Sequence, residues 1–125
     1  MKYILASGSP RRQELLKQID IPFEVITADV DESFENGLLP PAVVELLSRR
    51  KGHAVYDKIK NGLNEETVII SADTLVALDK SILGKPKDEQ QAFDMLSALS
   101  GRSHFVYTGV TLIYHSKNGT KEMTF

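Results

Sequence analysis

Two arginines, Arg11 and Arg12, stand directly after Ser7-Gly8-Ser9-Pro10, where a short apolar run gives way to a helical pattern. A helix N-terminus already carries roughly half a positive unit charge, and an added cation there costs about 0.3–1 kcal/mol. Two cations at that point give up helix stability unless an anion occupies the same spot. Gly8 lets a ligand approach the backbone, and the free amides of a first helical turn point at it. Residues 7–12 therefore read as a phosphate site, with Ser9 as the helix cap and Pro10 as the first helical residue.

Asp73 lies inside the apolar run from Val68 to Leu78. A carboxylate there is costly unless it is paired, metal-bound or protonated. On a rigid strand it could activate a water. The plain alternative, an aspartate that only accepts backbone bonds beside Thr74, stands level with it. Asp29, Asp31 and Glu32 are hard oxygen donors of the kind Mg²⁺ shares with phosphates. Taken alone, they read more simply as a solvated acidic loop. Arg49, Arg50 and Lys51 fall mid-helix and cannot all face one way. Lys51 is the one assigned to a cleft, with its neighbours in solvent, although a wholly solvated charged face is the simpler reading. Lys85, between Gly84 and Pro86, is a point charge held in a stiff turn. It does not belong to a Walker A loop, because Asp79 and Pro86 stand where that motif needs glycine and Ser/Thr. His53, His104 and His115 show no metal-ligand spacing. Ser7 and Ser9 have no His/Asp partner for covalent catalysis.

One task unites these groups: cations hold a polyphosphate, a carboxylate-bound metal neutralises charge at phosphorus, and a further carboxylate orients water. The elements that must position them alternate in type. Strands are predicted at Tyr3–Ala6, Phe23–Thr27, Thr67–Leu78, His104–Tyr114 and Lys121–Phe125. Helices are predicted from Pro10 to Ile19, Ala42 to Ile59 and Asp88 to Leu99. Leu15, Leu16 and Ile19 should face inward from the first helix, and Ala92, Phe93, Leu96 and Leu99 from the last. Asn118-Gly119 is a hairpin signal. This alternation predicts an α/β domain over residues 1–125.

The 125 residues suffice for one small core, and 42% hydrophobic with 26% charged residues suits a globular chain. A net charge of −2 excludes a general basic field for nucleic acid. No apolar run approaches the roughly 20 residues that span a bilayer. The absence of cysteine excludes disulfides and thiolate sites. The cytoplasm is the default compartment.

Ala6-Ser-Gly-Ser-Pro-Arg-Arg12, Asp29-Val-Asp-Glu32, Ser71-Ala-Asp-Thr74, Leu83-Gly-Lys-Pro86 and His104-Phe-Val-Tyr-Thr-Gly109 together resemble the Maf family in order and spacing. That family comprises nucleoside triphosphate pyrophosphatases and was first named for an effect on septum formation. The resemblance implies an elongated, twisted mixed β-sheet flanked by helices, with two lobes and a cleft, as in the inosine triphosphate pyrophosphatases. It implies hydrolysis of a nucleoside triphosphate to the monophosphate and pyrophosphate with Mg²⁺ or Mn²⁺, water attacking the α-phosphorus. Asp73 would accept the proton. Ser7, Arg11, Arg12, Lys51 and Lys85 would grip phosphates, and Glu32 with Asp73 would serve the metal. Arg12 and Thr74 would set base preference as in the branch acting on dTTP and UTP; the 7-methyl-GTP branch tends to carry glutamine at Thr74. Homodimers are common among proteins of this kind. Gly52 stands where alanine is commoner, a minor change in a helix. The resemblance further implies that the family's C-terminal third is lacking here. A nucleotide-binding regulator of cell division without catalysis is the alternative activity.

Overall fold

The computed structural model describes residues 1–78, 81–83, 88–99 and 104–125. In chain order they form Lys2–Leu5 (β1), Pro10–Gln18 (α1), Glu24–Val25 (β2), Pro40–Ile59 (α2), Thr67–Leu78 (β3), Ser81–Leu83 (β4), Glu89–Leu99 (α3), His104–Ser116 (β5) and Gly119–Thr124 (β6). The strands make one mixed sheet in the order β2-β1-β3-β5-β6, with β4 also paired to β3. β1 is parallel to β2 and β3, while β4 and β5 run antiparallel to β3. The predicted mixed α/β sheet is thus present, and β3 has the bounds its apolar run predicted.

The chain leaves β1 toward β2 and then returns across β1 to β3. Open sheets bind ligands at such a reversal, outside the carboxyl ends of the strands. The register adds a gap there. β1 pairs with β3 only as far as Leu5 opposite Ile70, and β4 pairs with β3 only from Val76 onward. The edge of β3 between those points is left bare on that side, next to Asp73.

α2 packs across β3 and β5. Its inward face has two apolar patches. Val55 joins Ile4, Ala6, Ile69 and Ile113, and Val43, Val44 and Leu47 join Leu75 and Ala77. Between the patches runs a band of small residues. Ser48 and Thr111 hydroxyls meet at 2.8 Å, and the Ser71 hydroxyl donates to the Ser48 carbonyl at 2.6 Å. Every hydroxyl in the band is satisfied, so its burial carries little cost. Gly52 fits against it: a Cβ there would lie 2.7 Å from Ser71 Oγ and 3.2 Å from Ile113 Cδ1. The minor helical substitution predicted at this position is therefore a close-packing requirement. Gly52→Ala is expected to lower stability in a urea melt by about 1 kcal/mol, reversing the gain of about 1 kcal/mol that helix propensity alone would give.

The other helices differ from prediction. α1 buries none of its residues, and Leu15 and Ile19 are exposed. Phe93 and Leu96 of α3 are exposed as well. An apolar stripe is buried only where a second layer lies against it, and the described residues place none there. The strand predicted at Phe23–Thr27 contracts to Glu24–Val25. The hairpin turn falls on residues 117–118, and Gly119, with φ of 124°, opens the return strand.

Candidate functional site

β1 runs directly into the loop that carries Ser7. The Ala6 amide donates to the Ile70 carbonyl at 2.8 Å, after which the chain turns away from β3. Ser9 caps α1, its hydroxyl accepting the Arg12 amide at 3.4 Å. The Gln13 amide returns to the Ser9 carbonyl, and Pro10 has no N–H. The helix start therefore offers a ligand far fewer free amides than the sequence suggested, because the cap and the proline absorb them. Of the two cations at this helix start, Arg12 alone lines the cleft.

Arg12 folds back across the bare edge of β3. One terminal nitrogen donates to Ser7 Oγ at 3.0 Å and to the Ala72 carbonyl at 3.1 Å, and the other donates to Thr74 Oγ1 at 3.1 Å. The planar guanidinium thus takes over the carbonyl that a longer β1 would have paired. Arg11, one residue earlier, is exposed and does not line the cleft. Thr74 Oγ1 also lies 3.0 Å from Thr108 Oγ1 on β5. Thr108 falls within the motif at residues 104–109, and nothing along the sequence ties its hydroxyl to Thr74 and Arg12.

Lys51 arrives from α2. Its ammonium bonds to Asp73 Oδ1 and lies 3.5 Å from Glu32 Oε1. The side chains of Lys51 and Asp73 are 20% and 12% exposed. Asp73 and Thr74 are consecutive on β3 and so point to opposite faces. Arg12 and Lys51 therefore straddle that strand, one on each side. Glu32 reaches Lys51 because Arg50 holds its loop, donating to the Asp31 carbonyl at 2.8 Å and to the Ser33 carbonyl. The sequence placed Arg50 in solvent; the structure uses it as a loop clamp. Asp31 does not line the cleft beside Arg12 and Lys51, and hydrogen bonds from the Ser33 side chain and then its amide hold its carboxyl below the usual range.

A cleft of about 450 Å³ opens beside Arg12 and Lys51, lined by these two with Ser7, Gly8, Asp29 and Glu32 among others; Asp73 and Thr74 do not line it and meet it through Lys51 and Arg12. A Cβ on Gly8 would touch nothing closer than Thr27 Cγ2 at 4.0 Å, so the space beside it is open to a ligand. A larger hollow of about 1060 Å³ lies near the start of β3, between residues 63–66 and the β5–β6 hairpin, and holds none of these side chains. Lys85 lies outside the described residues. Among the described residues no three His, Cys, Asp or Glu side chains gather as a metal site. Glu32 and Asp73 nevertheless bracket a cation, the Lys51 ammonium. That donor set suits a hard divalent ion whose shell is completed by phosphate oxygens and water. No helix of the described residues is long and apolar enough to cross a membrane.

A family model described as Maf-like protein matches residues 2–125. The chain is 44% identical over 128 residues to a dTTP/UTP pyrophosphatase of Bacillus cytotoxicus, covering 99% of this chain and 64% of that protein. It is 53% identical over 113 residues to a dTTP/UTP pyrophosphatase of Carboxydothermus hydrogenoformans, covering 90% and 58%. The chain thus spans less than two thirds of the length of either relative. A solved structure, a nucleoside-triphosphatase / dITP/XTP pyrophosphatase from Mycobacterium abscessus, matches over 100% of this chain and 70% of its own, at 17% identity and a TM-score of 0.47. That likeness is too distant to bear on function.

Proposed function

The chain belongs to the Maf-like family, and from that premise we propose that it is a nucleoside triphosphate pyrophosphatase acting on dTTP and UTP. The observation that carries this reading is the convergence of Arg12 and Lys51 on Ser7 and Asp73 from two helices. A triphosphate tail laid in the cleft meets cations on both sides of β3. Arg12 is held by three neutral acceptors, so its charge is available to phosphate and its geometry is set beforehand. The Ser7 hydroxyl lines the same cleft. Arg11 and Lys85 are proposed as further phosphate contacts. Thr74, fixed by Arg12 and by Thr108, is proposed to discriminate the base.

In the reaction, water attacks the α-phosphorus, the bond to the α,β-bridging oxygen breaks, and pyrophosphate leaves. Asp73 takes the proton from the attacking water. Glu32 and Asp73 are the residues that would hold a divalent cation, which would supply charge neutralisation at the reacting phosphate. The chain's own side chains do the gripping and the proton transfer.

The test is product analysis. With UTP or dTTP and Mg²⁺ or Mn²⁺, the chain should release pyrophosphate and monophosphate in equal amounts. Release of single phosphates would overturn the reading, and binding of UTP without turnover would leave a binding protein. Arg12→Lys is expected to lower kcat/KM for UTP by about 10- to 100-fold, because one ammonium cannot span Ser7, Ala72 and Thr74 as the fork does. Steady-state kinetics on the folded variant check this.

A further inference from the structure

We propose that Lys51 is an internal cation that stands in for the divalent metal until nucleotide arrives, so that metal and triphosphate enter the site together. This rests on the reading of Glu32 and Asp73 as metal-holding residues. The two cations of the cleft differ in how they are compensated. Arg12 donates to a hydroxyl, a backbone carbonyl and a second hydroxyl, and among the described residues it has no carboxylate partner. Lys51 is compensated twice, by Asp73 and by Glu32. A divalent ion drawn to those carboxylates would sit in contact with an ammonium, and like charges at that range repel strongly. The ion can therefore bind well only when Lys51 has moved off.

Lysine is suited to that movement. Its charge is compact and rides on a flexible four-carbon stem, unlike a planar fork. The loop bearing Glu32 need not move with it, since Arg50 clamps that loop independently. Arg12 and Lys51 line the same cleft, so a triphosphate tail held at Arg12 gives the ammonium a new anionic partner. While Lys51 holds Asp73 Oδ1, that oxygen is closed to a divalent ion; once the lysine turns to phosphate, it is open. Metal binding thus follows the arrival of substrate.

The experiment measures Mn²⁺ binding by electron paramagnetic resonance with no nucleotide present. Lys51→Met keeps the length of the stem and removes the charge. It is expected to bind Mn²⁺ at least ~10-fold more tightly than the unmodified chain, the repelling ammonium being gone, while Lys51→Arg stays near the unmodified value. Equal or weaker Mn²⁺ binding by Lys51→Met overturns the proposal. Should that variant not fold, the side-chain ammonium signal of Lys51 in the unmodified chain reads the same exchange by ¹H–¹⁵N NMR. Mg²⁺ alone should leave it in place, and Mg²⁺ with a non-hydrolysable α,β-imido analogue of UTP should shift it. A shift with Mg²⁺ alone would count against the idea. Pyrophosphate release from UTP with no Mn²⁺ gain in Lys51→Met would leave the proposed function standing and remove this inference. A Mn²⁺ gain in a chain that releases no pyrophosphate would do the reverse.

Discussion

Replacing Asp73 by asparagine is expected to lower kcat for pyrophosphate release from UTP at least ~10²-fold, the usual contribution of a positioned general base. Asparagine matches aspartate in shape and can still accept a hydrogen bond from Lys51, so the site should keep its outline. What it cannot do is take a proton from water. Removing the carboxylate charge also leaves Lys51 freer to meet phosphate, so KM for UTP should stay level or fall. That split, kcat down and KM not raised, distinguishes a lost base from a lost binding contact. A circular-dichroism melt must accompany the kinetics, because Asp73 is buried and its neighbour Lys51 loses a charged partner. An asparagine variant that folds and keeps kcat within ~10-fold would remove Asp73 from the proton-accepting role.

The second large effect concerns stability. Gly109 pairs with Asp73 across β3 and β5, and α2 passes directly over it. A Cβ at this position would lie 2.5 Å from the carbonyl carbon and oxygen of Val44 and 2.8 Å from the Glu45 amide. Backbone cannot swing aside as a side chain can, so Gly109→Ala must push the helix off the sheet. A cost of about 3 kcal/mol is expected, at the upper end of ordinary overpacking. For a chain of this size that corresponds to a fall in Tm of roughly 10–15 °C. The same displacement would carry Lys51 away from Asp73, so activity should fall even in the fraction that remains folded. A melt within ~3 °C of the unmodified chain would show that the helix can yield without cost.

These two residues mark the border between what was legible beforehand and what was not. β3 could be read in full, because Val68, Ile69, Ile70, Leu75 and Val76 form an apolar run that only a sheet buries economically. Asp73 stood out for the same reason, as an acid in an apolar stretch. Ser9 and Asp88 were legible as caps, their short oxygens being suited to free amides, and both accept the predicted bonds. The stripes on α1 and α3 misled. Leu15, Ile19, Phe93 and Leu96 have helical spacing, but spacing states only that a face is apolar, not that another layer covers it.

By itself, the sequence determined local order: where strands and helices form, which residues cap them, and that cations and carboxylates recur at intervals suited to phosphate chemistry. Register and packing decided the rest. Lys51 could be singled out along the chain, but the Arg50 clamp on the Asp31 and Ser33 carbonyls exists only once α2 has docked. Arg12 was separable from Arg11 only once β1 had stopped short and left the Ala72 carbonyl bare. The band of Ser48, Gly52, Ser71, Gly109 and Thr111 has no signature along the chain, since each small residue is ordinary where it stands. Its effect exists only when α2 and the sheet press together, and that close approach brings an ammonium to a carboxylate 22 positions away in the chain.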